Sequence, residues 1–100
     1  MKIGVYLSSK DHLPSSYVEA AQQVGSFIGS EGHTLVYGGA RKGLMEVLAQ
    51  SVKQAGGRVY GMVLEIIEQR GLVSDAIDVT FRCVDLNDRK MMMNRESDVL

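Results

Sequence analysis

The feature that most constrains the fold is a short apolar run that stops at a double glycine and leads directly into a helical pattern. The run is Thr34–Tyr37, Gly38 and Gly39 follow it, and apolar residues recur at helical spacing from Leu44. Glycine permits positive φ angles and a close approach of ligand to backbone. A helix that starts after Gly43 offers free N–H groups and a positive dipole end, which suits phosphate. The pattern predicts a strand that enters a helix through a glycine-rich turn.

This turn alone does not identify a ligand, because many turns between strand and helix contain glycine for geometry only. Its spacing is not the G-x-G-x-x-G of dinucleotide sites. It also lacks the Gly-Lys-Ser/Thr triplet that closes a P-loop. A phosphate site and a purely geometric turn both remain open at this point.

Strands and helices alternate along the chain, which predicts an α/β fold with a Rossmann-like parallel sheet, flanking helices and right-handed crossovers. Residues 1–100 form one domain of this kind. Ser16 and Glu19 have the spacing of a capping box. The predicted strands lie at about residues 2–8, 34–37 and 58–63, and the helices at about 15–31 and 43–55. Helical spacing predicts two apolar stripes: Tyr17, Ala21, Val24 and Ile28, then Leu44, Val47, Leu48, Val52 and Ala55.

The second half of the chain predicts a less regular arrangement. Residues 64–71 indicate a short helical turn, and residues 77–83 alternate as in a strand with one exposed face. Residues 85–87 can cap a helix over about 88–96, whose methionines suit a core or a subunit contact. Residues 97–100 resemble the opening of another strand. We therefore expect a sheet truncated on its C-terminal side, and a 100-residue chain that is dimeric, swapped or poorly soluble.

Composition excludes several classes of function. The net charge is −1 and only six residues are aromatic, which argues against nucleic-acid binding. The single Cys83 and the two isolated histidines cannot build a metal site, and one cysteine fits a reducing compartment. No signal peptide or membrane-spanning run is present. We expect a cytoplasmic protein that holds no metal.

Arg89 and Lys90 are the strongest candidates for chemistry. They lie in the first turn of the predicted last helix, where positive charge opposes the dipole unless an anion is near. Arg41 and Lys42 are interpreted as exposed loop residues, with phosphate steering as the minor alternative. Glu46 is expected at the surface or at a pocket rim, and Cys83 in an apolar setting.

Several segments resemble, in order, the motifs of one known family. Residues 35–45 resemble its Val-Tyr-Gly-Gly-Gly-x-x-Gly-Leu-Met segment. Residues 55–63 resemble its Ala-Gly-Gly-x-Val-x-Gly-Val-x strand, and residues 86–93 its Met-His-x-Arg-Lys-x-x-Met motif. Ser8-Ser9 and residues 96–100 also match in order, so the resemblance covers the whole chain. These motifs resemble those of the Lonely Guy family of cytokinin riboside 5′-monophosphate phosphoribohydrolases, whose members often carry the label lysine decarboxylase.

The resemblance implies a usually dimeric enzyme that hydrolyses the N-glycosidic bond of adenosine 5′-monophosphate derivatives. The products are a free base and ribose 5-phosphate, and no cofactor is implied. The family's Arg-Lys pair falls on Arg89, as the catalytic residue, and Lys90, as a substrate contact. The other implied substrate contacts are Ser8, Ser9, Gly38, Gly39, Gly43 and Met45.

The sequence differs from the family's motifs at two places, and one family segment lies outside it. Asn87-Asp88 stands where the family has His and a variable residue, and Ala40 replaces the third glycine of the turn. The family's Pro-Gly-Gly-x-Gly-Thr-x-x-Glu segment, with its catalytic Glu, would follow Leu100. We therefore expect activity from the full-length protein and none from these 100 residues alone.

Other functions remain open beside the hydrolase. A non-catalytic binder of nucleotide, or a carrier of molybdenum cofactor with the same sheet, is the runner-up. A merely structural or dimerising half is the third interpretation. Lysine decarboxylase is the least favoured, because no Ser-x-His-Lys-type cofactor lysine is present.

Overall fold

The computed structural model describes residues 1–7 and 14–100, and in that part of the chain strands and helices alternate. All pairings within the sheet are parallel, and the strand order is β1-β2-β3-β4. The predicted α/β, Rossmann-like fold is therefore confirmed. The elements are β1 (Lys2–Gly4), α1 (Ser15–Ser30), β2 (Thr34–Tyr37), α2 (Gly43–Gln54), β3 (Arg58–Leu64), α3 (Glu65–Gln69), β4 (Val79–Cys83) and α4 (Leu86–Glu96).

The end of the chain joins the sheet on the free side of β1. Ile3 pairs with Leu35 of β2 on one side and forms a parallel bridge with Val99 on the other. The Gly4 N–H donates to the Val99 carbonyl at 2.7 Å. The segment after α4 thus pairs as the sequence predicts for an opening strand. Because β4 lies at the opposite edge of the sheet, α4 carries the chain across to β1.

Each face of the sheet has its own layer of helices. Side chains alternate along β2, so Leu35 and Tyr37 pack with the core residues of α1 and α2. Val36 points the other way and packs with Met62, and with Met93 of α4. The glycine turn after β2 therefore lies at the edge where both layers meet.

The two helices of the first layer pack through glycines. A β-carbon built on Gly25 would lie 2.5 Å from Ser51 Cβ, and one on Gly29 would lie 2.5 Å from the Val52 carbonyl oxygen. This close approach buries the face of α1 that carries the glycines and leaves the neighbouring face of the helix exposed. Of the apolar stripe predicted on α1, Ala21 and Ile28 are buried, whereas Tyr17 and Val24 are 55% and 45% exposed.

Several predicted boundaries also need correction. The Ser16–Glu19 capping box is wrong, since α1 begins at Ser15 with Pro14 as its N-cap and has no side-chain cap. Pro14 has a non-helical ψ of 146°, and its carbonyl accepts from the Val18 N–H at 3.4 Å, so the helix begins directly after it. Strand β1 is shorter than predicted, although the Val5 N–H still donates to the Val36 carbonyl at 2.9 Å. Ser8 and Ser9 lie outside the described residues.

Within residues 1–7 and 14–100, no helix combines the length and the apolar character needed to cross a bilayer.

Candidate functional site

A cavity of about 390 Å³ opens at the carboxyl ends of β1 and β2. In parallel sheets ligands bind at this edge, where neighbouring connections leave in opposite directions. Here the connection from β1 leads through α1 to β2, whereas α4 returns to the other side of β1. The lining residues come from the segment after β1, the glycine turn, α2 and α4: Val5, Tyr6, Leu7, Gly38, Met45, Arg89 and Met93.

Arg89 and Gly38 are in close contact in this cavity. A β-carbon built on Gly38 would lie 3.0 Å from Arg89 Nη1 and 3.0 Å from Met45 Cε. Glycine is therefore the residue that leaves the guanidinium its place. Arg89 is half-buried, and no carboxylate among the described residues forms an ion pair with it. Its charge is available to an anion in the cavity.

The start of α4 is fixed by two aspartates. Asp85 is the N-cap, and its Oδ1 accepts a hydrogen bond from the Asp88 N–H at 2.8 Å. In return Asp88 Oδ2 accepts from the Val84 N–H at 2.9 Å. The helix therefore begins at Leu86, two residues before the predicted start. These carboxylates already place negative charge at the positive end of the helix dipole, so a cation in this turn does not by itself indicate a bound anion. The position of Arg89 in the cavity is what indicates a role in binding.

The remaining predicted contacts divide into two groups. Gly39 and Gly43 have φ angles of 80° and 56°, so they shape the turn, and a β-carbon on Gly39 would lie 2.6 Å from Val63 Cγ2. Lys90 is exposed on α4 and is not among the cavity-lining residues. The structure thus brings Gly38, Met45 and Arg89 together and leaves Lys90 outside.

A segment that the sequence did not reveal covers the glycine turn. The Ser74 N–H donates to the Gly39 carbonyl at 3.0 Å, and the Arg41 N–H donates to the Leu72 carbonyl at 2.6 Å. Ala40 and Val73 form an antiparallel bridge between these bonds. Arg41 is exposed as predicted, but its Nη2 also donates to a backbone carbonyl, that of Gly71, at 3.0 Å. Backbone pairing therefore holds the turn, and the Arg41 side chain adds one further bond to the covering segment.

Tyr37, the last residue of β2, is completely buried next to the turn. Burial raises the pKa of Tyr37 to about 12, the Ser74 hydroxyl opposes this shift, and the Glu46 carboxylate adds to it. Glu46 Oε2 accepts a hydrogen bond from Gln50 Nε2 at 2.9 Å, whereas its Oε1 is buried. Glu46 was predicted at the surface or at a pocket rim; it is half-buried, faces inward in part and is not among the cavity-lining residues.

Cys83 is buried between β4 and α4, as expected. Its Sγ lies 3.5 Å from Met92 Sδ. Burial raises the pKa of the Cys83 thiol, the charge of Asp88 raises it further, and Arg89 acts against both. A protonated, enclosed thiol has a packing role. Among the described residues, no group of three or more His, Cys, Asp and Glu side chains is arranged to hold a metal ion.

A second depression at the same edge was not predicted. It has a volume of about 620 Å³ and lies beyond the ends of β3 and β4. Its apolar members include Ile66, Val84 and Leu86, which are all at least half exposed. These residues are scattered in sequence, so no periodicity reveals them.

Curated proteins similar to this chain are phosphoribohydrolases. A cytokinin riboside 5′-monophosphate phosphoribohydrolase of Arabidopsis thaliana is 32% identical over 97 residues, which cover 97% of this chain and 45% of that protein. A probable enzyme of the same name from Oryza sativa subsp. japonica is 33% identical over 97% of this chain and 39% of its own length. The chain thus spans less than half of these relatives. They confirm the resemblance to the Lonely Guy family.

Similar solved structures carry a different name. The molybdenum cofactor carrier protein of Chlamydomonas reinhardtii superposes with a TM-score of 0.81 at 25% identity, over 99% of this chain and 59% of that one. The molybdenum cofactor binding protein of Rippkaea orientalis gives a TM-score of 0.80 at 31% identity, over 98% and 59%. The family model described as the SLOG cluster4 family matches residues 1–100. The chain therefore belongs to the SLOG cluster4 family.

Proposed function

We propose that the complete protein hydrolyses the N-glycosidic bond of adenosine 5′-monophosphate-type substrates, cytokinin riboside monophosphates among them. The products are the free base and ribose 5-phosphate. The observation that carries this proposal is the Arg89 guanidinium, half-buried in the cavity against Gly38 and without a carboxylate partner in the described part of the chain. The names of the curated relatives support the same substrate class.

Each group in the cavity has a role in this reaction. Cleavage of the bond develops positive, oxocarbenium-like charge on the ribose, while the base leaves with the bonding electrons. Water then adds its oxygen to the ribose carbon, and the base takes up a proton, which gives the two products. Arg89 stabilises the phosphate or the departing purine, since a guanidinium is planar and always charged. Gly38 and Met45 lie beside it as substrate contacts. Lys90 adds positive charge from outside the cavity, where it favours the approach of the anion.

The reaction also needs a carboxylate near the ribose. None of the residues that line the described cavity is acidic. We assign this role to the Glu of the glycine-rich segment that the Lonely Guy resemblance places after Leu100. Ser8 and Ser9, which follow β1, complete the proposed substrate contacts, and we propose a cytoplasmic homodimer as the working form.

A carrier of molybdenum cofactor is the second candidate. The observation that favours it is the similarity to the two molybdenum cofactor proteins over nearly the whole chain. In that case the same cavity would bind the phosphate of the cofactor through Arg89 and would catalyse nothing.

The deciding experiment measures adenine release from adenosine 5′-monophosphate by the full-length protein, with adenosine as the control substrate. The hydrolase function predicts release from the monophosphate and much slower release from adenosine. Equal rates on both would remove phosphate recognition from the proposal. Binding of the monophosphate without release of base, together with retention of molybdenum cofactor on gel filtration, would favour the carrier.

A further inference from the structure

Two buried polar atoms, on residues that flank the glycine turn in the sequence, have no hydrogen-bond partner among the described residues. They are Tyr37 Oη, at the end of β2, and Glu46 Oε1, in the first turn of α2. Native proteins pair nearly all buried polar groups, and they use ordered water where protein atoms are lacking. Two such atoms on residues at the same end of the sheet therefore point to a bound water molecule.

The fold brings the two residues to the same end of the sheet and to the same face. Tyr37 ends β2 and packs in the core that α2 covers, and Glu46 lies in the first turn of α2. Tyr37 packs in the same core cluster as Met45, the residue before Glu46. The Glu46 charge is close enough to raise the pKa of Tyr37. The Ser74 hydroxyl also acts on that pKa, but it is not in hydrogen-bonding geometry with Tyr37 Oη. The Ser74 oxygen accepts from the Ala76 N–H at 3.1 Å, so it is held in place beside the pair.

We propose that one buried water molecule bridges Tyr37 Oη and Glu46 Oε1, and that these side chains are positioning residues for the cavity. The tyrosine hydroxyl donates to the water, and the water donates one hydrogen to the carboxylate. Its second hydrogen is directed at the Ser74 hydroxyl oxygen. This arrangement gives the water three polar partners, the usual number for a buried one.

The sequence positions of Tyr37 and Glu46 explain how a water link between them would act on the cavity. Tyr37 directly precedes Gly38, and Glu46 directly follows Met45. Gly38 and Met45 both line the cavity, and both lie against the space that Arg89 uses. A water link between the flanking side chains therefore joins the end of β2 to the first turn of α2. It fixes the distance between the two lining residues.

A double-mutant cycle on the full-length protein tests the link. The variants are Tyr37→Phe, Glu46→Leu and the two combined. Each single change leaves one buried polar group without its partner, so we expect each to lower kcat/KM on adenosine 5′-monophosphate by about tenfold, the equivalent of one buried hydrogen bond. The combined variant should lose no more than the worse single variant, both in kcat/KM and in the denaturation midpoint.

A matched control uses the other contact of the same carboxylate. Gln50 donates to Glu46 Oε2 from the exposed side of α2. Gln50→Ala combined with Tyr37→Phe should give additive effects, because this bond does not pass through the water. A crystal structure of the full-length protein should show density for one water within hydrogen-bonding distance of Tyr37 Oη and Glu46 Oε1.

Four results would count against the proposal. Additive effects of Tyr37→Phe and Glu46→Leu on the denaturation midpoint would overturn the coupling. A direct bond between the two side chains, with no water, would overturn the bridge. Loss of stability in Tyr37→Phe with unchanged kcat/KM would overturn the positioning role. The positioning role depends on the proposed function, so it fails if the wild type neither binds nor cleaves adenosine 5′-monophosphate. In that case the denaturation midpoints of the variants still test the water link by itself.

Discussion

A β-carbon on Gly38 would lie 3.0 Å from Arg89 Nη1, so the absence of a side chain at the end of β2 determines where the guanidinium of α4 can lie. The two residues are 51 positions apart: Gly38 belongs to the turn after β2, and Arg89 belongs to α4. Both line the same cavity. A glycine that sequence motifs assign to phosphate binding therefore also makes room for a cation.

Gly38→Ala should reduce activity more than stability. The added methyl would meet the flexible ends of Arg89 and Met45, which can move at little cost to the fold. The guanidinium would shift within the cavity, and misplacement by about 1 Å can cost on the order of 100-fold in rate. We expect kcat/KM on adenosine 5′-monophosphate to fall by about 10- to 100-fold on that basis.

Gly32→Ala is the matched control for this change. Gly32 has a φ angle of 72° at the end of α1, and a β-carbon added there would have no atom within 4 Å. This variant should lose about 1 kcal/mol of unfolding free energy through backbone strain and keep its activity. Full activity in Gly38→Ala would show that Arg89 does not need its present position.

Arg89→Ala should lower kcat by about 100-fold or more, as removal of one preorganised transition-state contact does. Lys90→Ala should mainly raise KM, by a few-fold, since an exposed cation contributes little more than steering. Steady-state release of adenine by the full-length protein measures both variants. Loss of kcat in Lys90→Ala equal to that in Arg89→Ala would remove the distinction between them.

Arg95→Ala gives the control on the same helix. Arg95 is exposed in the last turn of α4 and pairs with Glu96 at 3.5 Å. Its loss should leave the rate of adenine release unchanged. Wild-type activity in Arg89→Ala would exclude Arg89 from the mechanism.

The sheet and the helices were predictable because their signals are local. Thr34–Tyr37 has the predicted bounds, and the glycines after it stop the strand as expected. Apolar periodicity also found α2 to within one residue. The register of β1 and its short length depend on its two neighbours, Leu35 and Val99, which no local pattern encodes.

The site was predictable only in part, for the same reason. The family motifs identified Gly38, Met45 and Arg89, and the structure brings these three together. The segment that covers the turn is attached by backbone hydrogen bonds, which leave no trace in side-chain pattern. The burial of Tyr37 Oη and Glu46 Oε1, on which the proposed water link depends, is likewise a product of tertiary packing.

Asp85→Ala should lower stability and disturb the helix that carries Arg89. The Asp85 carboxylate accepts from the Asp88 N–H at 2.8 Å, so its removal leaves an unpaired donor at the start of α4. We expect a loss of about 1 kcal/mol in unfolding free energy, the usual value for an N-cap. Urea denaturation of the full-length protein measures the change. Asp85→Asn should retain most of the stability, and equal losses in both variants would argue against capping.

Protonation of the Asp78 carboxylate should make the protein less stable in acid. Partial burial would raise the pKa of the Asp78 carboxyl, but hydrogen bonds from Lys53 and the Val59 N–H, with the charges of Lys53 and Arg58, lower it overall. Both bonds are 2.8 Å long. Because the folded pKa lies below the unfolded value of about 3.9, the stabilisation is complete above that value. It is lost as the pH falls through the folded pKa.

Asp78→Asn should therefore cost about 1–2 kcal/mol of unfolding free energy at neutral pH, as for a hydrogen bond to a charged group. The difference from the wild type should shrink below about pH 4, where the unfolded carboxyl takes up its proton. Asp75→Asn is the control, because Asp75 is exposed and makes no hydrogen bond to any described residue. It should have no comparable effect at neutral pH. Urea denaturation between pH 3 and pH 7 measures both variants. If the difference in unfolding free energy between Asp78→Asn and the wild type stayed constant over this range, the Asp78 carboxylate charge would not stabilise the start of β3.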